Sequence, residues 1–173
     1  MRDKNVKIKC SEFMARTLKL FFLLIVLAIV FSGCLSAGPA QDMELSFSHI
    51  EDKEWLLMEV RRGSESIVMD REQLEAVNLG GVYTIRFENG RFSGVGASNR
   101  YFGPYTPGND GSISIGDIAS TMMFSFIQPE GLAEAEYFSL LSEVSRWDFR
   151  DEKLELFANN SGPGAVLIFA LNQ

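Results

Sequence analysis

The amino-acid sequence predicts a domain of the α+β class, mostly β, in which antiparallel strands carry one helix packed across them. Three observations point there. Tyr83–Glu88 and Arg91–Asn99 alternate apolar and polar residues on either side of Asn89-Gly90. That pair suits a type I′ hairpin turn, whose two central residues both need positive φ. Short apolar segments separated by turn formers recur from Trp55 to Leu171. One stretch, beginning at Pro129, instead repeats its apolar residues at helical spacing.

In chain order, Leu45–Ile50 and Trp55–Val60 flank the acidic patch Glu51-Asp52-Lys53-Glu54, and Trp55-Leu56-Leu57-Met58 reads as a buried strand. Ile67-Val68 is a further strand after the turn at Arg62-Gly63-Ser64. Asp70–Val77 has the composition of a short helix, with Asp70 placed to cap it and Gly80-Gly81 to end it. Beyond the central hairpin, Arg100-Tyr101-Phe102-Gly103-Pro104-Tyr105 is dense in aromatics and turn formers. Pro107–Gly111 marks a reversal, and Ser112–Ile115 and Ser120–Phe126 are the next strands. Pro129 suits a first helical turn, where Glu130 favours the positive dipole end. Leu132, Ala135, Phe138, Leu141 and Val144 then form the apolar stripe, widened by Tyr137. Trp147–Phe149 and Leu154–Phe157 make a hairpin across Asp151-Glu152, with one face buried and one wet. Asn159–Gly164 is a turn, and Val166–Leu171 is the last strand.

The amino terminus has a different character. Residues 20–31 are an unbroken apolar run of 12, preceded by Arg16 and Lys19 and followed by Phe31-Ser32-Gly33-Cys34. The run is short for a bilayer span and has the size of a signal-peptide core. The small residues before Cys34 resemble the lipobox of secreted lipoproteins, in which the cysteine is acylated and becomes the new amino terminus. Residues 1–33 are therefore expected to be a lipoprotein signal peptide, with Met14 as an alternative start, and 34–43 a tether. The folded domain is expected over 44–173. The competing reading is an uncleaved anchor helix. On the lipoprotein reading the protein is membrane-anchored on the extracytoplasmic side through acyl chains on Cys34, since two chains anchor stably where one does not.

Of 16 basic and 23 acidic residues, 6 and 2 precede Cys34, which leaves the mature chain with 10 and 21 and a net charge of −11. Such a balance argues against a nucleic-acid partner. Cys34 is the only cysteine of the mature part, so neither an intrachain disulfide nor a cysteine metal site is expected there. No cofactor and no metal site is read from the sequence.

Individual motifs are weak alone. Gly94-Val95-Gly96-Ala97-Ser98-Asn99 lacks the third glycine and the following helix of a dinucleotide loop. Gly94, Gly96 and Ser98 instead share one strand face and leave a trough for an aromatic ring. His49, the only histidine, reads as a strand-edge residue, Asn109-Asp110-Gly111 as a turn, and Glu130, Glu134 and Glu136 as the solvated face of the helix. No G-x-S-x-G nucleophile elbow is present.

Together, Gly94-x-Gly96-x-Ser98-Asn99-x-Tyr101-x-Gly103-x-Tyr105 and then Ala119-Ser120-Thr121-Met122-Met123 resemble the META domain, a family that includes heat-shock-inducible outer-membrane lipoproteins. Trp55-Leu56-Leu57 looks like its opening strand and Glu136-Tyr137-Phe138 like its helix. The resemblance implies an antiparallel, partly open barrel or strongly curved sheet. It also implies that Gly94, Gly96, Ser98, Asn99, Tyr101, Gly103, Tyr105, Thr121 and Met123 are motif residues with a structural or binding role. Two family cysteines are serine here, Ser98 and Ser125. If those two lie within about 7 Å, a double cysteine variant would form a disulfide. The segment from Glu59 to Gly80 has no clear family counterpart. The expected function is that of a non-catalytic lipoprotein which binds a protein or a hydrophobic ligand in envelope or stress biology. The alternative is a hydrolase with an unrecognised site.

Overall fold

The computed structural model describes residues 46–123, 129, 131–159 and 164–172. A single 3₁₀ turn, Phe47–His49, leads into β1 (Glu54–Arg62), β2 (Glu65–Val68), α1 (Arg71–Ala76), β3 (Thr84–Glu88), β4 (Arg91–Val95) and β5 (Arg100–Pro107). β6 (Ile113–Ile115), β7 (Ala119–Ser120), α2 (Glu134–Ser142), β8 (Val144–Arg150), β9 (Lys153–Ala158) and β10 (Ala165–Leu171) complete the fold. The sheet is antiparallel and runs β6-β5-β4-β3-β1-β10-β9-β8. Its edges nearly meet: Ser112 bridges Arg146, and the Trp147 amide donates to the Gly111 carbonyl at 2.8 Å. Among the described residues the architecture is thus a nearly closed barrel with two helices, of which α1 is a short one.

Long β1 organises the sheet. One edge pairs with β10 along its length; the other pairs with β3 through Glu54–Leu56 and with β2 through Glu59–Arg62. A bulge between Leu57 and Glu59 separates the two halves and lets the edge change partners. The free Leu57 carbonyl accepts from the Arg71 guanidinium, which also donates to the Val82 carbonyl at 3.0 Å. Burial lowers the Arg71 pKa to about 10, so the group stays charged at neutral pH. α1 begins where the sequence places it, with the Asp70 carboxylate accepting from the Gln73 amide at 3.0 Å.

Both predicted tight hairpins form. Asn89 and Gly90 take φ of 52° and 73°, and Asp151 and Glu152 take 49° and 61°. Alternation then sends Trp55, Ile85, Phe87, Phe92, Leu154, Leu156 and Phe169 inward, where each is buried. On β5 the inward residues are Tyr101, Gly103 and Tyr105. A Cβ on Gly103 would sit 2.6 Å from Phe92 Cζ and 2.7 Å from the Asp117 carbonyl oxygen, so only glycine fits beneath that ring.

α2 departs from the sequence reading in start and in face. It begins at Glu134 rather than at Pro129 and buries Tyr137, Leu140 and Leu141, while Ala135 is exposed. Gly131, at φ 84°, breaks the chain from a helical path just before it. The Leu132 carbonyl is taken by the Tyr83 hydroxyl at 2.5 Å. His49 lies in the 3₁₀ turn rather than on a strand edge, its ring against the Ser46 carbonyl.

The barrel has two ends, separated by β5, whose eight residues span roughly 25 Å. Ser46 and Phe47 lie at the Pro107 end, where they line a cleft of about 420 Å³ with Pro107 and Asn109. The other end, at Arg100, carries the turn between β4 and β5 and the start of α2.

Candidate functional site

The Arg100 end gathers most of the sequence motif. Residues 96–99 turn the chain from β4 into β5, closed by the Gly96 amide donating to the Asn99 carbonyl at 2.7 Å. The first residue of α2 is laid against this turn. Glu134 Oε1 accepts from the amides of Ser98 at 2.7 Å and Asn99 at 2.8 Å, and Oε2 accepts from Asn99 Nδ2 at 2.6 Å. Burial alone would raise the Glu134 pKa; the bonds from Ser98 and Asn99 outweigh it and hold the carboxyl below the usual range. The expectation that Glu134 belongs to a solvated helix face is therefore wrong. The carboxylate turns back onto a loop 35 residues earlier instead. Gly96 makes room for it, since a Cβ there would meet Glu134 Oε1 at 2.5 Å and Phe138 Cζ at 3.0 Å. The single strand face expected for Gly94, Gly96 and Ser98 does not form, because β4 ends at Val95 and the other two lie in the turn; the space beside Gly96 is filled by the carboxylate and the Phe138 ring.

Asn99 is the hub. It is 6% exposed. Its Oδ1 accepts from Thr121 Oγ1 at 2.9 Å and from the Met123 amide at 2.6 Å. Its Nδ2 donates to the Met123 carbonyl at 3.2 Å as well as to Glu134. Two donations and two acceptances satisfy the whole carboxamide. Thr121 reinforces the join, its hydroxyl accepting from the Arg100 amide at 3.2 Å and its amide donating to the Arg100 carbonyl at 3.0 Å. The predicted strand over Ser120–Phe126 consequently reduces to Ala119–Ser120 within the described residues, because a side chain serves the Met123 backbone where a neighbouring strand would have done so. The side chains of Met122 and Met123 stand outward, 99% and 66% exposed. Ser98 contributes its amide, while its buried hydroxyl has no hydrogen-bond partner among the described residues. Ser125 and Cys34 lie outside the described residues, and with them the spacing of Ser98 to Ser125.

Beneath the turn sits a tyrosine cluster. Tyr101 donates to the Thr84 carbonyl at 2.7 Å and shares a 2.9 Å hydroxyl contact with Tyr137. Tyr83 and Tyr137 meet edge to face, ring centroids 4.9 Å apart. Burial pushes the hydroxyls of Tyr83, Tyr101 and Tyr137 well above the usual tyrosine range, so they act as neutral hydrogen-bonding groups. Gly94 is required here, because a Cβ would collide with the Thr84 carbonyl and the Tyr101 hydroxyl. Tyr105 and Gly103 do not join the others. Tyr105 lies at the opposite end, its hydroxyl donating to Glu51, and Gly103 lies midway under Phe92. The motif is thus divided between a hub at one end and core fillers along β5. Glu134, Thr84 and Tyr137 complete that hub; Tyr137 is legible in the sequence as part of the helix stripe, whereas the roles of Glu134 and Thr84 carry no local signature and only the fold reveals them.

A family model described as the META domain matches residues 48–171. The chain belongs to the META domain family. Among solved structures, an NMR structure of a protein from Burkholderia xenovorans is similar at a TM-score of 0.57 and 21% identity, over 73% of this chain and 86% of that one. A crystal structure of a DUF4847 family protein from Bacteroides vulgatus gives a TM-score of 0.48 and 14% identity, over 72% and 96%. No curated protein matches the sequence. The first likeness supports the barrel-like fold. Among the described residues, no group of three or more His, Cys, Asp or Glu side chains is placed to hold a metal ion. No described helix is long and apolar enough to cross a membrane.

Proposed function

We propose that this protein is a lipoprotein anchored through Cys34 on the extracytoplasmic side of a membrane. On this reading its META domain is a non-catalytic binding module serving envelope maintenance or the stress response. The observation that carries it is how the motif's polar groups are used. Asn99 has all its hydrogen-bonding capacity taken up within the fold, and the Glu134 carboxylate is held by two amides and a carboxamide. Groups so engaged build a scaffold and are not free to attack a substrate or move its protons. What the hub offers outward is the Met122–Met123 pair, suited to apolar contact. The interior is filled by Tyr101, Tyr137, Phe87, Phe92 and Phe169, each at most 1% exposed. That favours a protein partner at the surface over a hydrophobic ligand inside the barrel. The acidic mature chain supports the exclusion of nucleic acid.

The anchor is tested by mass spectrometry of the membrane fraction together with a Cys34→Ala variant. A lipid-bearing Cys34 at the amino terminus, and release or misprocessing of the variant, is the expected result. An intact peptide spanning residues 20–40 as the dominant form would sink the lipoprotein reading.

A further inference from the structure

We propose that Met122 and Met123 form a methionine-oxidation site, modified by two-electron oxygen donors such as hydrogen peroxide or hypochlorous acid without loss of the fold. Four methionines lie among the described residues, and their settings differ sharply. Met122 and Met123 are 99% and 66% exposed, Met69 is 4% exposed and packed in the core, and Met58 is half-buried on β1. Thioether oxidation follows access to the sulfur. The backbone around the pair is fixed independently of the sulfurs: both the amide and the carbonyl of Met123 are bound by Asn99, and Thr121 is tied to Arg100 on both its backbone and its side chain. The side chains can therefore change polarity without loosening the chain that bears them.

The step balances with peroxide alone. A sulfur lone pair attacks one peroxide oxygen, an S–O bond forms and the O–O bond breaks, and the departing hydroxide takes the proton from the oxygen now on sulfur and leaves as water. Sulfur loses two electrons and the peroxide gains them. The product sulfoxide is polar, so an apolar knob becomes a hydrogen-bond acceptor at the same place, and methionine sulfoxide reductase with a dithiol reductant can reverse the change.

The full mature chain is exposed to a peroxide series, the sulfoxide at each methionine is read by peptide mass spectrometry, and the fold is followed by circular dichroism and thermal unfolding. Met122 and Met123 should oxidise first, with Met69 slower by on the order of tenfold or more. The melting transition should stay where it was when the pair is fully converted. A Met122→Leu, Met123→Leu chain should keep the same melting transition and lose the fast phase. Oxidation of Met69 at the rate of the pair, or a lowered melting transition tracking Met122 and Met123 sulfoxide, would overturn the proposal.

Discussion

At Glu134 a single carboxylate holds the amides of two consecutive residues and the carboxamide of one of them, and its chemistry sets a pH dependence. The bonds from Ser98 and Asn99 favour the ionised form, so the folded pKa lies below the ordinary glutamate value of about 4.3. A lowered folded pKa means the stabilisation is complete above that ordinary value and is lost as the pH falls through the folded one. Glu134→Gln keeps one acceptor for the amides and turns a donor toward Asn99 Nδ2. It should cost about 1–2 kcal/mol at neutral pH, the scale of charge-assisted bonds replaced by neutral ones. Urea titrations of both proteins from pH 7 to pH 3 check this, with the two stabilities converging in acid. A gap that is constant across that range would mean the carboxylate charge contributes nothing.

The elements themselves were legible in the sequence to the extent that their causes are local. The Asn89-Gly90 turn and the Asp70 cap depend on residues next to one another and form as read, and the strands flanking the turn pair across it, although β3 starts at Thr84 and β4 ends at Val95 rather than at Asn99. The start of α2 and the end of β7 depend on partners far away. Tyr83 captures the Leu132 carbonyl, and Asn99 substitutes for a strand beside Met123. No periodicity could reveal either. The family motif named most of the hub's residues but not the bonds that join them, because Glu134 and Asn99 meet only after the barrel brings α2 over the turn. Glycine placement gives the element scale its own test. A Cβ on Gly94 would collide with the Thr84 backbone, which cannot swing aside, whereas a Cβ on Gly81 meets nothing within 4 Å. Gly94→Ala should therefore lower stability by about 2–3 kcal/mol, in the range of overpacked sites, and Gly81→Ala by far less. Thermal or denaturant unfolding of the two variants side by side reads the difference, and equal effects would show that β3 and β4 have slack between them.

At the scale of the folded domain, the first described residues lie at one end of the barrel and the Asn99 hub at the other. Ser46 sits beside Pro107 and Asn109, while Asn99, Glu134 and the exposed methionines lie at the Arg100 end of β5. The scaffold places two apolar side chains there at fixed backbone positions, and the proposed function is that a protein partner meets them. The most direct measurement is photo-crosslinking in intact cells. The full-length protein carries a photoreactive residue in place of Met122 and, separately, in place of Asn109 at the Pro107 end of the barrel. A discrete adduct from position 122, absent from position 109 and lost when Asn99→Ala frees the Met123 backbone, is the result the account predicts. The same adducts from both positions, or adducts from position 109 alone, would contradict it.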